Sequence, residues 1–196
     1  MTKFIALVLT FIFICVAASA AECTDIAKVD FANRTLTVAG IQQMVTPAES
    51  PLGGPLAQQA FHFHHGVSLE YEGGPGKKPD WQTTIRQDVA VKPEGFHTIR
   101  FLTLFRNHLT GSGSWTHLVG LTCSGGRIQQ VFQVSERFMQ VEEVTPEVVQ
   151  ISRRVWKPSD PACCPSARKK LRYTWDPRTD RYTLAHTDRL KTMRGK

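Results

Sequence analysis

The chain has 196 residues, 41% of them hydrophobic and 21% charged, with a formal net charge of +7. That balance argues against a disordered chain and suits one globular domain of ordinary size. The charge is uneven, because residues 22–150 hold 10 Lys and Arg against 13 Asp and Glu, whereas residues 151–196 hold 13 against 4.

At the N-terminus, Lys3 precedes an apolar run over residues 4–16 that only Thr10 interrupts, and Ala17, Ala18, Ser19, Ala20 and Ala21 follow. Charge, apolar core and small residues in that order predict a secretory signal peptide over residues 1–20, cleaved after Ala20 or Ala21. The run is shorter than the roughly 20 apolar residues of a membrane-spanning helix. No transmembrane segment is therefore expected after cleavage, and an uncleaved anchor is the alternative. Lipid attachment would need a small residue just before a cysteine. Cys23 follows Glu22 and Cys15 lies inside the run, so no lipid anchor is expected. Residues 21–196 then form one exported domain, secreted or periplasmic.

The N-terminal third carries Pro51, Gly53, Gly54 and Pro55 before a helix-compatible stretch, residues 56–60. One or two short helices are expected there. Next, Phe61 and Phe63 alternate with His62 and His64, which would share one face of a strand. Imidazole is a common transition-metal ligand, so His62, His64 and His65 are the candidate metal ligands, with His97, His108 and His117 as unplaced additions. A zinc site needs a third or fourth ligand. The same alternation also fits phenylalanines in the core and histidines in water. Residues 73–79 read as a loop.

From there the pattern is β. Residues 98–106 are apolar on both faces, with Ile99, Phe101 and Phe105 on one and Leu102 and Leu104 on the other, as a strand covered on both sides requires. Thr110, Gly111, Ser112 and Gly113 form a loop. Residues 115–123 and 127–134 flank Ser124, Gly125 and Gly126, and a Gly-Gly pair supplies the positive φ angles of a tight hairpin. Ile128, Phe132 and Val134 point to the core. Val149, Ile151 and Val155 alternate with polar residues in a strand ending near Trp156. Residues 170–175 and 181–186 flank Asp176, Pro177, Arg178, Thr179 and Asp180, which predicts a second hairpin. The fold class expected is α+β, mainly antiparallel sheet with the short N-terminal helices, and all-β is the alternative.

Once Cys15 leaves with the signal, Cys23, Cys123, Cys163 and Cys164 form an even set, and two disulfides are the default in an oxidising compartment. Adjacent cysteines rarely bond each other. The expected pattern therefore joins Cys163 and Cys164 each to a distant partner, Cys123 or Cys23, with a redox or metal role for the vicinal pair as the alternative. The basic tail presents Arg168, Lys169, Lys170 and Arg172 as a possible face for an anionic partner, such as an envelope polymer or an acidic protein surface. Export argues against nucleic acid.

Catalytic motifs are missing. Gly111, Ser112, Gly113 and Ser114 do not make the G-x-S-x-G elbow, and no H-E-x-x-H occurs. Ser166 and Lys169 match S-x-x-K without the companion S-D-N and K-T-G groups. Residues 73–78 lack the spacing of a phosphate-binding loop. No cofactor is expected.

The stretch Asp160, Pro161, Ala162, Cys163, Cys164, Pro165 and Ser166, followed by Leu171, Tyr173 and Trp175, resembles the C-terminal end of the LppP/LprE family of bacterial envelope lipoproteins, in which a C-C-P-S group precedes a strand carrying Tyr and Trp. The likeness covers about 30 residues, and this chain lacks the family's lipid-accepting cysteine. The resemblance implies an envelope address and nothing catalytic. The resulting expectation is a non-enzymatic, disulfide-stabilised binding module at the cell envelope, with metal binding or thiol redox chemistry as the alternative.

Overall fold

Runs in which β-branched and aromatic residues alternate with polar ones pair as antiparallel strands, because each can bury one face while its backbone bonds sideways. The computed structural model describes residues 23–39, 58–71, 77–111, 113–161, 165–188 and 191–192. The predicted signal peptide, Cys163, Cys164, Ser112 and residues 73–76 lie outside these. The strands are β1 (Thr35–Ala39), β2 (Gln58–His62), β3 (Val67–Glu70), β4 (Trp81–Val91), β5 (Ile99–His108), β6 (Ser114–Ser124), β7 (Arg127–Arg137), β8 (Met139–Val144), β9 (Val148–Val155), β10 (Ala167–Asp176), β11 (Arg181–Thr187) and β12 (Lys191–Thr192). β1 and β2 form a two-stranded sheet, β3 to β7 a five-stranded meander, and β8 to β11 a second large sheet in which β12 pairs with the start of β10.

No α-helix occurs among the described residues, and two 3-10 turns, Ile26–Lys28 and Phe31–Asn33, stand near the N-terminus, capped by Asp25 and Asp30. The α+β expectation is thereby corrected to all-β. Of the stretch read as helical, residues 56 and 57 lie outside the described residues and residues 58–60 open β2. Pairing of Thr37 with Ala60 and of Leu36 with Phe61 prevails there over local helix propensity.

The meander is covered on both faces. On one side, Cys23, Ile26 and Phe31 of the N-terminal segment, Leu36 and Val38 of β1, and Phe61 pack against Leu102, Leu104, Val119 and Leu121. On the other, Ile99, Phe101, Leu118 and Phe132 pack against Met139, Val149, Ile151, Leu171 and Tyr182 of the C-terminal sheet. β5 supplies both clusters, as its two apolar faces predict. Gly120 makes room for this packing: a Cβ there would come within 2.9 Å of the Phe132 Cβ and 3.0 Å of the Phe101 ring.

Both predicted hairpins form. Gly125 (φ 59°) and Gly126 (φ 75°) turn β6 into β7, and Asp176 accepts from the Arg178 N–H and the Thr179 hydroxyl in the turn from β10 to β11. A bulge between Gly120 and Leu121 shifts the β6–β7 register, so Ile128 faces the first cluster while Phe132 and Val134 face the second. The N-terminal segment is fastened twice. The Arg100 guanidinium donates to the carbonyls of Ile26, Ala27 and Val29 while paired with Asp88. Cys23 forms a disulfide with Cys123 across a Cα–Cα distance of 5.7 Å. The expected pairing is corrected accordingly: Cys23 and Cys123 bond each other, which leaves neither for Cys163 or Cys164.

Candidate functional site

The segment from β8 to β10 buries Val149, Ile151 and Leu171 inward, and strand alternation sends their neighbours outward. On that outer face the register sets Arg154 opposite Arg168, Ser152 opposite Lys170, and Gln150 opposite Arg172. Like charges directly opposite each other across two strands repel, so the Arg154/Arg168 pair costs stability in the free protein. Glu142, at a bulge in β8, answers part of this charge. It accepts from Lys170 at 2.6 Å and from Gln150 at 3.0 Å, and it lies 4.0 Å from Arg168, whose guanidinium also donates to Gln140 at 2.8 Å. Partial burial pushes the Glu142 carboxyl upward, but the hydrogen bonds from Lys170 and Gln150 help outweigh it and hold the group below the usual carboxylate range.

The predicted basic quartet thus divides. Arg168, Lys170 and Arg172 share the outer face, whereas Lys169 stands opposite Arg153 on the other side of the sheet. Arg153 pairs with Glu136 of β7. The exposed Arg154 joins the outer face instead, two residues before Trp156, which is 38% exposed. Phe138, the single residue linking β7 to β8, has a φ of 55° and lies 6.0 Å from the Trp156 ring. The Arg137 and Arg154 guanidinium groups lie 5.6 and 5.9 Å from the Phe138 ring centre. Arg137-Phe138 and Arg154-Val155-Trp156 are adjacent cation and aromatic residues in the sequence, but only the β7–β8 turn brings them together.

The histidine run divides as its alternation suggests. Phe61 and Phe63 are buried, while His62, His64 and His65 are exposed. His62 Nδ1 meets the Thr35 hydroxyl at 2.8 Å, and the His64 and His65 rings lie 4.3 Å apart. Among the described residues no group of three or more His, Cys, Asp or Glu is arranged to hold a metal ion. Ser166 donates its hydroxyl to Asp160 at 2.6 Å, and Asp160 also accepts from the backbone N–H groups of Lys157 and Ser166. Those bonds, the Ser166 hydroxyl first, hold the Asp160 carboxyl below its usual range. The S-x-x-K match therefore falls on a stapled loop leading into a strand.

A second polar group lies inside the layer between β1–β2 and the meander. Arg106, 6% exposed, pairs with Glu70 at 2.6 Å and stacks 4.3 Å from the Trp81 ring centre. His117, 1% exposed, contacts the Ser135 hydroxyl through Nδ1 at 2.9 Å, and its Nε2 has no partner. Burial, reinforced by the positive charge of Arg106, pushes the imidazole down to about 4. That contact joins a serine to a histidine, but the imidazole is enclosed and Ser135 also accepts from Gln133.

No helix among the described residues is long and apolar enough to cross a membrane. No curated protein and no solved structure matches the chain. The model of the LppP/LprE lipoprotein family matches residues 117–178, the stretch from β6 to the turn after β10, so the chain is similar to those lipoproteins over the segment that carries Phe138, Arg154, Trp156 and Arg168.

Proposed function

We propose that this chain is an exported, envelope-associated binding domain, and that the outer face of its C-terminal sheet holds an anionic partner without catalysing a reaction. The observation that carries this reading is the Arg154/Arg168 pair. Two arginines occupy opposed positions on the outer sheet face, with Lys170 and Arg172 on the same face and Glu142 as the neighbouring carboxylate. An anion bridging the two would turn their repulsion into paired, charge-assisted hydrogen bonds. The envelope address is supported by the signal-like N-terminal sequence and by the likeness to a lipoprotein family. The disulfide fits an oxidising compartment. Binding rather than catalysis is supported by the enclosure of His117 and the locking of Ser166 onto Asp160.

Titrating the exported chain with dextran sulfate tests the proposal. Affinity should fall steeply as salt rises, and the double charge reversal Arg154→Glu with Arg168→Glu should weaken binding about tenfold or more, as the loss of charge-assisted hydrogen bonds implies. Unchanged affinity in the double variant would reject this face as the binding surface.

A further inference from the structure

Resting on that reading, we infer that the anionic partner is a glycan, gripped at the end of the basic face by Trp156 and Phe138 together with Arg137, Arg154 and Arg168. Three independent observations meet at this place. First, Phe138 is a bulky residue in the left-handed region, a conformation that is strained for such side chains and is often found where function needs it. The turn it makes carries its ring 6.0 Å from the Trp156 ring and within 5.6 and 5.9 Å of two guanidinium groups. Second, Arg137 and Arg168 each keep a buried Nε–H without an acceptor, as does Arg153 on the adjoining side of the sheet. Third, the register places Arg154, whose guanidinium lies 5.9 Å from the Phe138 ring centre, opposite Arg168.

The shape of the aromatic pair selects among anionic partners. Phe138 is half-buried and Trp156 is 38% exposed, so each ring is partly covered by its neighbours. What they offer is a partly covered ring surface held in place by neighbours. Such a surface suits the apolar face of a sugar ring, whose acidic substituents the guanidinium groups would take. A polyanion without rings would use the arginines alone.

Binding of the full exported chain to three probes decides the matter: dextran sulfate, polyphosphate of similar charge, and vesicles containing anionic phospholipid. Trp156→Ala should weaken dextran sulfate about tenfold, in line with the loss of one stacking contact, while leaving polyphosphate within about twofold. Trp156→Phe should recover most of the lost affinity, which guards against a folding defect. Neutral dextran should not bind. If Trp156→Ala leaves dextran sulfate unchanged, or weakens both polymers equally, the glycan inference is overturned while the basic face can still stand. Tighter binding to vesicles than to dextran sulfate, lost in Trp156→Ala, would overturn it in favour of a membrane surface. If Arg154→Glu with Arg168→Glu alters no probe, the underlying anion reading fails as well.

Discussion

At His117 an imidazole is enclosed beside a guanidinium, and both burial and the Arg106 charge oppose its protonation. In the folded chain it takes a proton near pH 4, against 6.5 for the unfolded chain. Between those values the unfolded state binds the extra proton, so acid favours unfolding. The stabilisation from the neutral imidazole is complete above pH 6.5 and is lost as the pH falls toward 4, by on the order of 3 kcal/mol across the window. Urea midpoints at pH 7, 5 and 4 should show a shallower decline for His117→Gln than for the parent chain, and parallel declines would show that His117 is not the group responsible. Sequence alone offered His117 only as an unplaced metal ligand. Its burial depends on strands far away in the chain, and its contact with Ser135 depends on the β6–β7 register.

Among the elements, the legible ones are those whose information is local. β5 is apolar on both faces and lies between two packed layers, and the Gly125-Gly126 and Asp176-Pro177 turns close the hairpins they announce. β2 was legible only at its end: the alternation at Phe61 and His62 reads as a strand, whereas residues 58–60 take strand form from pairing with β1 rather than from their own propensity. The placement of Ile128 and Phe132 on opposite faces was hidden too, since a bulge reverses the alternation between them. The basic quartet was legible in part: strand alternation already separates Lys169 from Arg168 and Lys170, but nothing near those residues in sequence reveals Glu142 as their partner. The disulfide falls between these cases, since the cysteines announce a bond without saying which. Cys23 and Cys123 are 100 residues apart, and closing a loop of that size constrains the unfolded chain by about 4.7 kcal/mol in the entropy model. Cys23→Ser with Cys123→Ser should therefore lower unfolding stability by about 2–5 kcal/mol. A parent chain whose stability is the same with and without reductant would argue that this bond does not form.

The meander is shared by both core clusters, so for the molecule as a whole neither outer layer has a core of its own. The first cluster needs Leu102, Leu104, Val119 and Leu121 from the meander, and the second needs Ile99, Phe101, Leu118 and Phe132 from the same strands. Losing either layer would expose one face of β5 and β6 to water, and burying that apolar face is the main favourable term in folding. The layers should therefore unfold together, which is also what treating residues 21–196 as one domain requires. Hydrogen exchange provides the measurement. Amides of β5 and β6 should exchange only through global unfolding, and those of β9 and β10 should show nearly the same opening free energy, while the edge strands β3 and β11 open more readily. An opening free energy for β9 and β10 well below that of β5, or two separate transitions on heating, would mean that the C-terminal sheet folds as an independent unit. The basic face and its aromatic end would then belong to a separable binding module.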